Sequence, residues 1–434
     1  MVSKREKMRT SSNIRRWSGN CRLSSMLILY VLLLCSFYAY CEARDTMRPG
    51  EWIIDNGETL VSAGGKFEFG FFSPIGSSGN KRYVGIWYHE WDDNRTVVWV
   101  ANRNFPIINA NGVFNLTEDG ELKVMDTTGK EYWSTNIRSS CPCNRTVTLK
   151  NSGNLVYGDY RVPKNILWES FNTSTDTLLP GMDVYQNRNL TSWKGSDDPG
   201  EGSFRFFSQG YLDYTIYKEN NIYCNRFSSY QMDDTLEKLS SDFTARIVMD
   251  FSGKLEYWRW DVKVMNWSLI VAEPGNKCAE YNYCGNNGVC NPYNNLVCKC
   301  LPGFKPNAPE KWHSGDFSNG CARNSLCGKN DMFLLVSGIN LDNSERVEVQ
   351  GGEPFCQKKC FERCDCKAYY YLDVAMDCYI WTRDLVDLQE IGGDFFFVRV
   401  AVSDIGTNPN FHMTLLAFTE VLKLQLPAAV FHGL

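Results

Sequence analysis

Gly120-Glu121-Leu122-Lys123-Val124, followed by Tyr132-Trp133-Ser134-Thr135-Asn136, is a unit that the chain writes three times. Its later copy is Gly153-Asn154-Leu155-Val156-Tyr157 with Leu167-Trp168-Glu169-Ser170-Phe171. Its earlier copy is Gly65-Lys66-Phe67-Glu68-Phe69 with Val98-Trp99-Val100-Ala101-Asn102. The tryptophans stand 34 and then 35 residues apart. A turn glycine, a strand of period two and a Trp-bearing strand, repeated, predict a threefold all-β unit. One copy cannot bury its own apolar face, so the three are expected to close around a shared axis with the tryptophans packed at its centre.

Upstream of this unit, Lys4, Arg5, Lys7, Arg9, Arg15, Arg16 and Arg22 precede the uncharged run Met26–Tyr40. A basic segment, an apolar core and small residues around Ala43 predict a secretory signal peptide over 1–43, cut after Ala43. The competing reading is a signal anchor, but fifteen apolar residues fall short of the ~20 a spanning helix needs. The 434 residues carry 45 Lys+Arg against 50 Asp+Glu, a net charge of −5, and the basic leader means the remainder is more acidic still. An acidic surface excludes non-specific nucleic-acid binding, which needs dense basic charge to displace counterions. A hydrophobic fraction of 43% excludes a disordered chain.

Export decides how the 18 cysteines are read. Cys21, Cys35 and Cys41 belong to the leader; Cys141, Cys143 and Cys224 are scattered; twelve crowd between Cys278 and Cys378. In an oxidising compartment such a cluster predicts small disulfide-stapled modules. Zinc is the rival reading, disfavoured by secretion and by only 4 His. Cys298 and Cys300, one residue apart, point to opposite faces of a strand and should serve different partners. Cys356, Cys360 and Cys364, at i, i+4 and i+8, are expected on one helical face. Cys141, Cys143 and Cys224 cannot all pair among themselves.

The run Thr96-Val97-Val98-Trp99-Val100-Ala101-Asn102-Arg103 with Pro106-Ile107 resembles the bulb-type lectin domain of plant S-domain receptors. Trp168-Glu169-Ser170-Phe171, the stretch Thr175–Met182, Leu190-Thr191-Ser192-Trp193-Lys194 and Asp198-Pro199 continue the likeness into an S-locus glycoprotein domain. Cys278, Cys284, Cys290, Cys298, Cys300 and Cys321 are spaced as in an EGF-like module. Cys327, Cys356, Cys360, Cys364, Cys366 and Cys378 resemble those of a PAN/apple module. The resemblance implies the pairs 278–290, 284–298, 300–321, 356–378 and 360–366, which leaves Cys327 with Cys364. The expected architecture is a mainly β multidomain chain: signal peptide 1–43, threefold bulb-lectin β-prism 44–171, β-rich S-locus glycoprotein domain 172–277, disulfide-rich EGF-like module 278–322, α+β PAN/apple module 327–401 and a tail 402–434 outside the family pattern.

Catalytic chemistry is absent from the sequence. Relatives in this family carry a serine/threonine kinase, but no Gly-rich phosphate loop, His-Arg-Asp or Asp-Phe-Gly occurs here. His89 and His313 stand in no hydrolase motif, and no metal motif of the His-Glu-x-x-His kind occurs. No catalytic residue, cofactor or metal is expected. Mannose-binding relatives use Gln-x-Asp-x-Asn-x-Val-x-Tyr on each repeat. At those five positions the third repeat reads Lys150, Ser152, Asn154, Val156 and Gly158; the second reads Thr117, Asp119, Glu121, Lys123 and Met125. Lost donors and acceptors leave sugar hydroxyls unpaired, so mannose recognition there is not expected. Sequons at Asn94, Asn115, Asn144, Asn172, Asn189 and Asn266 predict glycans, all before the EGF-like module.

These readings predict a secreted, apoplastic glycoprotein that recognises an extracellular peptide, protein or glycan and forms homo- or heterodimers with receptor-like kinases. Pollen self-recognition or immune-type signalling is what the resemblance implies. The alternatives are the truncated product of a full receptor kinase, which would sit at the plasma membrane, or a carbohydrate-binding lectin. Tyr369-Tyr370-Tyr371 and Phe395-Phe396-Phe397, in a segment without sequons, are candidates either for an outward-facing contact surface or for a small buried core.

Overall fold

The computed structural model describes residues 44–404, except 78–79, 90–94, 138–143, 163–164, 183–188, 209–212, 228–243, 342–344, 373–376, 391 and 393–394. The leader, Cys141, Cys143, Asn94 and the tail beyond 404 therefore lie outside the described residues. The chain divides into two compact units, 1–173 and 174–434.

In the first unit each repeat contributes one antiparallel sheet. Thr59–Val61, Phe67–Phe72, Lys81–Tyr88 and Val97–Val100 follow in order, with Ile107–Ile108 on the third of them. Gly112–Leu116, Leu122–Asp126 and Glu131–Ser134 form the second sheet, completed by Trp52–Ile54. Arg145–Leu149, Leu155–Asp159 and Ile166–Glu169 form the third, completed by Thr46–Met47. The first residues of the unit thus pair with its last repeats, which interlocks the three copies. Gly65, Gly120 and Gly153 all have positive φ (68°, 77° and 85°). Each opens its strand from a left-handed turn, a conformation that side chains with a Cβ resist.

Each Trp-bearing strand ends its sheet, so the three indoles converge. Trp99, Trp133 and Trp168 form a triangle with centroid separations of 5.9, 5.7 and 5.6 Å, every pair edge-to-face. That geometry suits the ring quadrupoles. Trp99 is buried and its Nε1 donates to the Thr173 carbonyl at 2.9 Å. Trp99 is core, and Trp133 and Trp168 are half-buried against it.

The second unit opens with two four-stranded antiparallel sheets. One holds Thr177–Leu178, Ala245–Met249, Leu255–Asp261 and Asn266–Glu273; the other is the meander Asn189–Gly195, Asp198–Ser208, Asp213–Lys218 and Asn221–Phe227. Period-two burial is visible along Ala245–Met249, where Ala245, Ile247 and Met249 face inward. Cys224 is fully buried on the last strand of the meander.

The cysteine-rich segment follows. Gly288–Cys290 pairs with Cys298–Cys300, and Phe304–Pro306 with Cys321–Arg323. Disulfides join Cys278 to Cys290, Cys284 to Cys298 and Cys300 to Cys321. Cys298 and Cys300 serve different partners because alternate strand positions face opposite ways. Next comes a five-stranded sheet in the spatial order Asp331–Ser337, Phe395–Ala401, Ala368–Leu372, Asp377–Trp381 and Val347–Gln350. The helix Glu353–Phe361 lies on one face, burying Cys356 and Cys360 against Tyr369 and Ile380. Disulfides join Cys327 to Cys364, Cys356 to Cys378 and Cys360 to Cys366.

Two features differ from the sequence reading. Cys364 is not on the helix with Cys356 and Cys360, because the helix ends at Phe361. Residues six apart on a helix lie about 9 Å along its axis, too far for a disulfide, so the Cys360–Cys366 bridge requires the chain to turn back. The two cysteine-rich modules, though joined by no disulfide, are not separate bodies. Leu388–Gln389 pairs in parallel with Gly288–Cys290. Val289, Leu301 and Phe304 share one hydrophobic core with Trp381, Phe396 and Val398.

Candidate functional site

Most sugar-contact positions of the second and third repeats are buried or half-buried, with Asp119 and Lys150 exposed. In the third repeat the Asn154 amide is occupied internally. Its Nδ2 donates to Glu169 at 2.8 Å, and its Oδ1 accepts from Ser170 Oγ and the Phe171 N–H, both at 3.2 Å. In the second repeat Glu121 is buried and pairs with Lys123 at 3.1 Å, while Lys123 also reaches Glu131 at 3.1 Å. Hydrogen bonds to Glu121 and Glu131 raise the Lys123 ammonium above its ordinary value, so Lys123 stays charged. Thr117 donates to the Glu121 carbonyl at 2.9 Å and also bonds Asp119. Aligning on Gly65 puts Ser62, Gly64, Lys66, Glu68 and Gly70 at the five positions of the first repeat, where none matches the mannose pattern. Sequence reading passed over this copy, although its turn glycine marks the register.

Among the described residues, His89 and His313 are held in local bonds. His89 Nδ1 meets Glu68 Oε2 at 3.0 Å, but Glu68 also accepts from Trp87 Nε1 at 2.9 Å. His313 is exposed and bonds the Pro309 carbonyl of its own short helix. The sulfurs of Cys284, Cys290 and Cys298 lie within 4.8 Å of one another. Each belongs to a disulfide, so none offers a metal a thiolate.

Of the sequon asparagines, Asn172, Asn189 and Asn266 are exposed, whereas Asn115 and Asn144 are half-buried. Asn172 donates to Glu169 at 3.0 Å.

The polar centre of the second unit is the seam between the cysteine-rich modules. Asn287 is buried; its Nδ2 donates to the Cys321 carbonyl and to Asp384 Oδ1, both at 3.0 Å, and its Oδ1 accepts from the Leu385 N–H at 3.0 Å. Asn286 also donates to Asp384, at 3.1 Å, and Lys367 pairs with it. Burial pushes the Asp384 carboxyl up, but the hydrogen bonds from Lys367 and the asparagines outweigh it and hold the group low. Deeper still, Arg399 donates to Asp331 at 2.8 Å and to the Cys360 and Arg363 carbonyls at 3.0 and 2.6 Å. Arg323 reaches the same carboxylate at 2.7 Å.

The aromatic triplets sit in and around this body. Tyr369 and Phe396 are buried, and Tyr370, Tyr371 and Phe397 are partly covered; Tyr369 stacks on Phe397 at 4.7 Å. Only Phe395 of the six is exposed. The large apolar side chains most exposed are Leu326 (95%), and Tyr293 (90%) and Leu296 (79%) at the tip of the hairpin joining Cys290 to Cys298.

A threefold lectin prism, further β sheets and a disulfide-stapled α+β body define a multidomain β protein with recognition surfaces. Comparison with known families agrees with that class. Residues 96–194 match the D-mannose binding lectin family, 204–308 the S-locus glycoprotein domain and 327–388 the PAN-like domain. A G-type lectin S-receptor-like serine/threonine-protein kinase of Arabidopsis thaliana is 38% identical over 88% of this chain and 50% of its own length. A second from the same plant, whose name marks it as inactive, is 30% identical over 86% of this chain and 75% of its own. Among solved structures, a monomeric mannose-binding lectin from Gastrodia elata is similar over 29% of this chain and 96% of its own, at 19% identity and a TM-score of 0.21. The chain belongs to the G-type lectin S-receptor-like kinase family and corresponds to the ectodomain of its members. It spans about half the length of the first of these relatives. The matched domains are non-catalytic, and the relatives' kinase domain is not covered by these residues. No helix among the described residues is long and apolar enough to cross a membrane.

Proposed function

We propose that the chain is an exported glycoprotein that recognises an extracellular ligand by surface contact and pairs with receptors of its own architecture. The carrying observation is the succession of lectin, S-locus glycoprotein and PAN-like domains on one chain, with Asn154, Glu121 and Lys123 at mannose positions of the lectin repeats engaged in internal bonds. A site whose amide and carboxylate already satisfy one another has little to offer a sugar hydroxyl. Recognition then falls to other surfaces. Tyr293 and Leu296 supply an apolar tip in a segment without sequons, and exposed aromatics of this kind are enriched at interfaces. Pairing is assigned to that tip. Expression in plant cells tests the first part: the exported protein should begin at Arg44 and lose apparent mass with peptide N-glycosidase. Retention of Met1 on a membrane-bound species, or no mass shift, would contradict it.

A further inference from the structure

The hollow between the meander and the EGF-like module has a lining whose chemistry is specific. It occupies about 960 Å³ and is walled by Asn220, Asn221, Ile222, Tyr281, Tyr283 and Ser318, with Asn282 behind them. Asn220 and Asn221 are exposed at the turn between the last two strands of the meander. The opposite wall is fixed. The Tyr281 N–H donates to the Tyr223 carbonyl at 2.7 Å, and the Asn282 side chain is used up, donating to Asn286 at 2.9 Å and accepting from the Asp387 N–H at 3.0 Å. Tyr283 is held by Phe317, ring centroids 6.0 Å apart, and by the Lys277 ammonium 5.7 Å from its ring. Burial, with the Asp387 charge, raises the Tyr281 phenol, which stays a protonated donor at any physiological pH.

Amides both donate and accept, as sugar hydroxyls do, and phenol rings offer apolar faces to the C–H side of a pyranose. No carboxylate, guanidinium or ammonium is among the lining residues. A neutral saccharide meets both hydrogen-bonding partners and aromatic surface here. We propose that this hollow is a binding site for a neutral oligosaccharide, separate from the sugar positions of the lectin repeats. The ligand is either a free oligosaccharide or the glycan chain of a glycoprotein.

The test uses the full exported chain on an array carrying free neutral oligosaccharides, N-glycopeptides and unglycosylated peptides, with titration calorimetry of the best ligand. The double variant Asn220→Asp/Asn221→Asp, at exposed positions, should weaken binding roughly tenfold or more with an unchanged melting temperature. Lys150→Ala, at a lectin-repeat position, should leave it unchanged. Tyr283→Phe should retain most of the affinity and Tyr283→Ala should lose it. Retention of free oligosaccharides or of glycopeptides alone tells the two sources apart. No retained glycan, undiminished binding by the double variant, loss in Lys150→Ala, or capture of peptides alone overturns the site. The pairing assigned to Tyr293 and Leu296 would survive each of these results.

Discussion

Asp331 and Arg399 show what a single buried charge does for this body. The Arg399 side chain is 1% exposed and that of Asp331 2%, so neither charge has water to fall back on. Removing one partner of such a pair strands the other, at about 3–5 kcal/mol. Asp331→Asn should therefore lower the urea midpoint of the second unit sharply, while replacing Asp331, Arg399 and Arg323 together with apolar residues should cost far less. Burial acts to raise Asp331, but the hydrogen bonds from Arg323 and Arg399 prevail and its carboxyl is held below 3.8. Burial likewise opposes the bonds that hold Glu390 below 4.5. Folded-state values lower than unfolded ones give stability that is complete above those unfolded values and fades as pH falls through the folded ones. Thermal melts of the second unit should be flat near neutrality and decline below about pH 4. A decline beginning near pH 6 would assign the loss to other groups. The Arg399 ladder had no legible signal: Arg399 reads as an ordinary polar position in Phe395–Ala401, and its partner lies 68 residues away.

Strands and helices were legible to the extent that their signals are local. Three turn glycines, and three tryptophans 34 and then 35 residues apart, are enough to place three sheets and a central triangle, because turn conformation and strand period are properties of neighbouring residues. The union of the cysteine-rich modules was not legible. It depends on Leu388 reaching a strand about a hundred residues upstream, and Leu388 looks like any apolar residue of a loop. That union changes what a disulfide deletion should do. Cys360→Ser opens a bridge inside the core that Tyr369 and Ile380 share. Losing a native disulfide from a small domain costs about 2–5 kcal/mol. Because one core spans both modules, EGF-like and PAN-like segments should unfold in a single transition, while the Trp99–Trp133–Trp168 triangle melts separately and unchanged. Hydrogen exchange resolved by segment distinguishes this from loss of protection confined to 327–401.

At the scale of the whole molecule, Asn154, Glu121 and Lys123, at sugar positions of the lectin repeats, are turned to internal bonding. The sequence left the two aromatic triplets of the sequon-free segment open between a contact surface and a buried core. Tyr369-Tyr370-Tyr371 and Phe395-Phe396-Phe397 are dominated by core packing, whereas Tyr293 and Leu296 sit in a turn-like stretch whose exposure only the folded hairpin reveals. Recognition by surface contact and pairing through that tip form the central claim, and association measured on the exported chain tests it most directly. Analytical ultracentrifugation alone and with family ectodomains should show a complex for the wild type. Tyr293→Asp/Leu296→Asp, folded to the same melting temperature, should lose it. Equal association by the double variant would contradict the account and move the interface off the cysteine-rich body.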